Sequence, residues 1–489
     1  MNSLESKVVT AAKWSALTEI ASKLISPIAG MILARLLTPE AYGAVATTTI
    51  IISFAELFTD AGFQKYIIQH DFTDDDDRNK SINVAFWTNL IMSLIIWGII
   101  ITLRYPIARI VGSPGLESAI VVACAAIPIA AFSSIQKAIY NRNFDFHTPF
   151  IARIVTIGIT FFITIPLAIW LRSYWALIIS KIINGVVTAA ILTYNSEWKP
   201  TLYYSLRRLN QMLSFCLTVI ISSILIWINT NIALFIVSSN FDQHSLGIYK
   251  TSITKANSLL SIISTSIIPI LLPTFSKLQN DYSKLKVSIL EIQKYLSVLL
   301  LPIGFSIFLY NETITWIFLG EQWNEAAQLI GIWALINSFS LLINHFCGKA
   351  LTAIGKPGLS AVISILYLTI LIPTILIAIK YGFKTLFYAH AITNIWLIIL
   401  HLIAIHLYIK LSPFKIFCNI MPELIGCGIM TVVTYSLSSA CNSIILQIAS
   451  MAVCWVSYIV FLLTIKNERT IIKQILTQTI KSISRVFPH

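Results

Sequence analysis

Polar residues fall in short groups along this chain, and between them run continuous apolar blocks of about 20 residues, the length a helix needs to cross a bilayer. The blocks do not alternate as strands do, and a helix satisfies its own backbone in hydrocarbon. Fourteen blocks predict spans near 14–34, 42–59, 82–103, 117–136, 150–170, 174–194, 212–236, 246–271, 293–310, 326–343, 359–379, 384–406, 416–438 and 443–465. Lys23 and Glu56 interrupt the first two. Composition agrees: 57% hydrophobic residues, 11% charged residues and a mean hydropathy of +0.81 leave no polar surface to clothe soluble domains. The expected fold is all-α and polytopic.

Loop charges orient the spans. With a cytoplasmic N-terminus, 23 Lys and Arg fall in inner loops and tails, whereas Arg35, Arg104, Arg109, Arg172, Lys380 and Lys384 fall outside. This positive-inside bias predicts an even number of spans and two cytoplasmic termini. It also explains the net charge of +13 without nucleic acid, since no basic cluster is interleaved with surface aromatics. The seven cysteines show no close C-x-x-C pairing and mostly fall in apolar runs, as small buried hydrophobes do. The first block has the length of a true span and reads as a retained anchor rather than a cleaved signal.

The loops are short, and the longest polar stretches are 60–81, 195–211 and 272–292. The run Asp74–Asp77 lacks the alternate spacing and glycine of a calcium loop and reads as a solvated segment capping the third span. No G-x-x-x-x-G-K-[ST] and no H-E-x-x-H occurs. His401 and His406, five residues apart, stand about 140° from each other on a helix and share no ligand face. No cofactor, metal site or catalytic set is expected.

A faint repeat links Tyr42-Gly43-Ala44-Val45 at the start of the second span to Leu246-Gly247-Ile248-Tyr249 at the start of the eighth. An offset of six helices predicts parallel repeats. The resulting architecture has an N-terminal lobe at 1–195 (spans 1–6) and a C-terminal lobe at 196–410 (spans 7–12). Two appended helices at 411–466 and a basic cytoplasmic tail at 467–489 complete it.

Charges within spans are costly and usually face a hydrated path or a partner. Glu19 and Lys23 stand four apart on one face, as do Glu56 and Asp60, which either serve the path or close a helix end against a base. Lys23, Lys181, Lys250 and Lys255 are expected to line a cavity, with Asn184 and Asn257 on the same helices. For Arg153, lining and snorkelling to the interface are both open, and Lys250, near a span end, could snorkel too. Both expected lobes supply cations, so a cavity between them would be electropositive and suited to an anionic substrate. Pro27, Pro128, Pro166, Pro302 and Pro373 are expected to bend their helices.

The stretch Ala34-Arg35-Leu36-Leu37-Thr38-Pro39-Glu40-Ala41-Tyr42-Gly43 is more distinctive. With Phe54-Ala55-Glu56-Leu57-Phe58-Thr59-Asp60-Ala61-Gly62-Phe63, it resembles the bacterial polysaccharide exporters of the Wzx type, in particular their colanic-acid-exporter-like branch. Asn83-Val84-Ala85-Phe86-Trp87 and Leu351-Thr352-Ala353-Ile354-Gly355-Lys356-Pro357 agree with it. The resemblance covers roughly 1–460 in length, span count and orientation, is distinctive at 30–90 and loose in the last third. It implies membership of the multidrug/oligosaccharidyl-lipid/polysaccharide exporter superfamily and two bundled lobes around a central cavity. The implied activity moves a polyprenyl-diphosphate-linked oligosaccharide from the cytoplasmic to the periplasmic leaflet of the inner membrane. That activity serves surface polysaccharide, lipopolysaccharide, exopolysaccharide or capsule biosynthesis. Lipid-linked oligosaccharide and membrane lipids are the expected partners, together with a polysaccharide polymerase and a chain-length regulator. Pro39, Gly43, Glu56 and Asp60 match the motif region and are expected to act in packing or gating.

Two other functions compete with this expectation. Cation-coupled efflux of a small solute or drug would use the same architecture. A membrane polysaccharide-assembly enzyme would need catalytic acids or a large extramembrane loop, which the short loops do not offer, and a scaffold without activity is the bland alternative.

Overall fold

The structure, a computed structural model, describes residues 14, 18, 22, 25–59, 61–438 and 443–474; side chains at 61, 262, 265–267, 269, 270 and 438 are not described. The described chain is helical, and its helices in order are α1 (Ile25–Leu36), α2 (Pro39–Thr59), α3 (Ala61–Gln69), α4 (Asp75–Thr102) and α5 (Arg104–Ile110). Then come α6 (Glu117–Cys124), α7 (Ala126–Arg142), α8 (His147–Ile159), α9 (Ile165–Leu171) and α10 (Trp175–Asn195). They are followed by α11 (Leu206–Asn240), α12 (Gln243–Lys277), α13 (Tyr282–Leu309), α14 (Asn311–Phe318) and α15 (Asn324–Ala353). The chain continues through α16 (Gly358–Ala378), α17 (Phe383–Ile409), α18 (Pro413–Asn419), α19 (Met421–Ser438), α20 (Ile444–Thr464) and α21 (466–474).

Eleven helices among the described residues are long and apolar enough to cross a membrane, or twelve if the bent pair α18–α19 forms one span. The protein is therefore an all-α, multi-pass membrane protein. Of the other expected spans, 246–271 lies in the 35-residue α12, and 14–34 is described mainly through α1. Apolar side chains point outward as lipid requires: the most apolar windows of His147–Leu171 and Leu206–Asn240 are each only 11% buried, and Trp170 is 82% exposed.

Local chemistry sets the helix ends. Asp74 caps α4 by accepting from Asp77 N at 2.6 Å, and Asp75, Asp76 and Asp77 fill a first turn where the helix dipole favours carboxylates. The acidic run is thus a helix start. Asp77 also pairs with Arg208 of α11, which donates to Ser81 Oγ at 3.1 Å. Asn83 Oδ1 accepts from Thr201 N at 2.8 Å and Trp87 Nε1 donates to Thr201 O at 2.8 Å, so this motif pins the 195–211 link to α4.

Breaks accompany some of the prolines. A span covering Glu117–Arg142 changes helix at Ala125, three residues before Pro128, and a π-helical turn at Thr160–Thr164 precedes Pro166. A bend of 51° between α18 and α19 lies beside Pro422, whose ring disfavours a helical residue before it. That proline was not among those expected to bend a span.

Two compact units divide the chain, Met1–Lys250 and Thr251–His489, with the boundary inside α12. In the first, small residues such as Ala44, Ala55, Ala119 and Ala123 let α2, α4, α6 and α7 approach closely around Ile52, Ile120 and Ile127. Six described cysteines are free thiols, five of them buried, and Cys441 lies outside the described residues.

Candidate functional site

In the first unit a cavity of about 540 Å³ opens among α1, α2, α7, α8 and α10. Three of these helices offer it a stripe at helical spacing: Ser133, Lys137 and Asn141 from α7, Arg153, Thr156 and Ile157 from α8, and Lys181, Asn184 and Thr188 from α10. Glu56 of α2 is its carboxylate. Gly185 lets α10 pack closely on α7 at the cavity wall, since a Cβ there would stand 3.0 Å from Ile129 Cγ2.

Lys137, Arg153 and Lys181 are exposed, although Lys181 sits mid-helix, and Glu56 is half-buried. Arg153 Nε donates to Ser22 Oγ at 2.8 Å, which turns the guanidinium towards Ser22. Asn184 Oδ1 is buried with no hydrogen-bond partner. Among the described residues, three cations against one carboxylate give the lining a formal excess of two positive charges. Such a cavity attracts a multivalent anion and offers it hydroxyl and amide groups as further partners. Among the described residues, no group of three His, Cys, Asp or Glu could hold a metal ion.

Of the residues expected from sequence, Arg153, Lys181 and Glu56 meet here. Lys250 and Lys255 lie in α12, both half-buried and neither in the lining. Lys23 and Asp60, as well as Glu19, lie outside the described residues. Lys137, one of the 23 Lys and Arg assigned by sequence to inner loops and tails, also lines the cavity. Its signal was the row Ala126, Ala130, Ser133, Lys137, Asn141, whose spacing of four, three, four and four marks one helix face.

Gly43 and Gly247 meet as the two sides of one contact. A Cβ on Gly43 would run into the Gln243 carbonyl, 2.8 Å from its carbon, and a Cβ on Gly247 would stand 2.7 Å from Pro39 C and 3.0 Å from Gly43 N. Beside this crossing Gln243 Nε2 donates to Ser113 Oγ at 2.6 Å, and Thr47 Oγ1 lies 3.1 Å from the same hydroxyl. The starts of α2 and α12 therefore touch backbone to backbone. An entirely apolar cavity of about 730 Å³ lies nearby among α2, α4, α5 and α11, lined by Phe54, Ile96, Ile107 and Trp227 among others.

A family model described as "Polysaccharide biosynthesis protein" matches residues 32–328. The chain is 22% identical over 324 residues to the succinoglycan biosynthesis transport protein ExoT of Rhizobium meliloti, covering 66% of this chain and 64% of that protein. It is 21% identical over 384 residues to the lipopolysaccharide biosynthesis protein WzxC of Escherichia coli, covering 77% and 76%. Among solved structures, the lipid II flippase MurJ in an inward closed conformation aligns with a TM-score of 0.76 at 14% identity, covering 93% of this chain and 99% of that one. An inward-facing multidrug resistance MATE family transporter aligns at 0.61 and 16% identity, covering 80% and 94%. At these identities the structural likeness is one of fold.

Proposed function

The chain belongs to the polysaccharide biosynthesis protein family, within the superfamily of polysaccharide exporters and flippases, and from that premise we propose its cargo. It carries a polyprenyl-diphosphate-linked oligosaccharide repeat unit from the cytoplasmic to the periplasmic leaflet of the bacterial inner membrane. It is a transporter, and no covalent bond of the cargo changes. The observation that carries this reading is the cavity where, among the described residues, Lys137, Arg153 and Lys181 face one carboxylate, Glu56. Phosphate charges are prohibitive in hydrocarbon without neutralisation, and Lys and Arg side chains supply it. About 540 Å³ falls within the roughly 300–1,000 Å³ of small-ligand sites, enough for a headgroup and its first sugars. The polyprenyl tail stays in lipid.

In this reading the protein has fourteen spans, in two six-helix lobes with an appended pair, and both termini are cytoplasmic. Lys250 and Lys255 are further cationic contacts for the substrate, as is Lys23, while Pro39, Gly43, Glu56 and Asp60 serve packing and gating. A polymerase and a chain-length regulator receive the exported unit. Relatives named for succinoglycan, lipopolysaccharide and teichuronic acid biosynthesis support a surface-glycan cargo.

Purified protein in liposomes provides the test, with lipid-linked oligosaccharide and a cationic dye offered in parallel. Translocation of the glycan lipid without dye movement is expected. Dye movement down an ion gradient, with no glycan translocation, would establish efflux instead.

A further inference from the structure

The apolar cavity beside α2 offers nothing to an anion, yet its chemistry selects an occupant. Its walls come from α2, α4, α5 and α11, and no polar atom of the described residues faces its volume of about 730 Å³. Trp227 turns its ring to this space while its Nε1 donates to Ser53 Oγ at 2.9 Å. Phe54 meets that ring edge-to-face, with centroids 5.0 Å apart. A water molecule needs about two to four polar partners to stay in a cavity, and this lining supplies none. Left empty, the walls would forfeit dispersion contacts. The fitting occupant is hydrocarbon.

Two sources of hydrocarbon are at hand in a membrane, the acyl chains of the bilayer and the isoprenoid tail of the proposed cargo. The register of α2 separates them. Phe54, Ala55 and Phe58 lie on its apolar face, whereas Glu56, which lines the cationic cavity, stands about 160° around the helix from Phe54. The body of α2 therefore lies between the two cavities, and a diphosphate beside Glu56 has no direct way to lay its tail in the apolar one. Towards the bilayer the apolar lining runs on into outward-facing surface. Ile95 is one turn before the lining residue Ile99 on α4, and both are exposed. On α11, Leu225 and Ile221 stand seven and eleven residues before the lining residue Ile232, on the same side of the helix, and are also exposed.

We propose that this cavity is a binding site for one acyl chain of a bilayer phospholipid. The chain enters between α4 and α11 and packs against the side of α2 that faces away from Glu56. It fills the space that the side chains leave open, so a lipid forms part of the support of the helix that carries Glu56 into the cationic cavity.

Photolabelling of the full-length protein in lipid nanodiscs tests this, with a phosphatidylethanolamine carrying a diazirine near the end of one acyl chain. Ile50, Ala55, Ile100 and Val111 line the cavity but are only 2–5% exposed, so lipid that merely surrounds the protein does not reach them. Adducts at these four residues are expected, in addition to those at the outward-facing Leu94 and Ile95. Ala55→Phe and Ile96→Phe each place a ring in the space from a different helix. Either should lower the inner adducts by about fivefold or more, because a chain must then overpack the site, and leave labelling of Leu94 unchanged. A parallel arm carries the diazirine on the tail of a polyprenyl diphosphate. Inner adducts from that probe alone would assign the cavity to the cargo and overturn the proposal. Labelling confined to Leu94, Ile95 and other outward residues with both probes would overturn it equally, as would inner adducts that persist undiminished in both Phe variants.

Discussion

Replacing Gly43 or Gly247 by Ala sets two known effects against each other. Helix propensity favours Ala by about 1 kcal/mol, since both glycines lie within helices. Packing opposes it, because the new Cβ of either variant meets backbone of the partner helix and no side chain can swing away. Forcing a methyl into such a contact costs about 1–3 kcal/mol. The clash therefore wins over most of this range, and the starts of α2 and α12 should separate. Reactivity of a Ser113→Cys reporter, in a chain with its seven native cysteines replaced, reads the opened fraction. A net destabilisation of about 1–2 kcal/mol corresponds to an increase of about 5- to 30-fold. Gly98→Ala, with nothing within 4 Å of its Cβ, is the control and should leave reactivity unchanged. Unchanged or lowered reactivity in both G43A and G247A would refute the backbone contact.

Other expectations follow from separate parts of the molecule. Arg208→Ala removes a partly buried ion pair and a hydrogen bond to Ser81, and should cost about 1–2 kcal/mol, read as a lowered melting temperature in detergent; an unchanged melt would mean that the pair is solvated. Single cysteines at Asn280, Lys356 and Asn467 should resist a membrane-impermeant thiol reagent added outside, whereas one at Ser239 should react. Equal labelling of all four would break the fourteen-span topology. Lys250→Glu and Lys255→Glu should each lower export at normal protein abundance, and full export by both would remove α12 from the substrate contacts.

The spanning helices were legible because about 20 consecutive apolar residues allow few structures in lipid. Their internal geometry was less so. Pro422 bends α18–α19 sharply, whereas Pro302 and Pro373 sit inside continuous helices, because neighbouring helices and side chains can compensate a lost backbone bond in one place and not in another. Arg153, Lys181 and Glu56 stood out as charges in apolar surroundings. Lys137 did not, because near a helix end a lysine that orients the protein and one that lines a cavity look alike in sequence. The two glycines read as a repeat, since similar settings are visible in sequence and contact is not. The ion pairs of Lys294 with Glu423 at 3.0 Å and Glu468 at 2.6 Å escaped for a related reason: their attraction depends on three distant segments meeting, and each residue alone resembles a loop charge.

The central claim is that the cations of the first unit's cavity carry a diphosphate. Its most direct test is translocation of a fluorescent lipid-diphosphate oligosaccharide in proteoliposomes, comparing wild type with Lys137→Glu, Arg153→Glu and Lys181→Glu at matched protein content. Each reversal removes a charge-assisted contact of about 1.5–3 kcal/mol and adds repulsion, so substrate affinity should fall by at least about 10-fold. The corresponding Gln variants should fall less, because they lose the attraction without adding repulsion. Wild-type translocation by all three Glu variants would contradict the account.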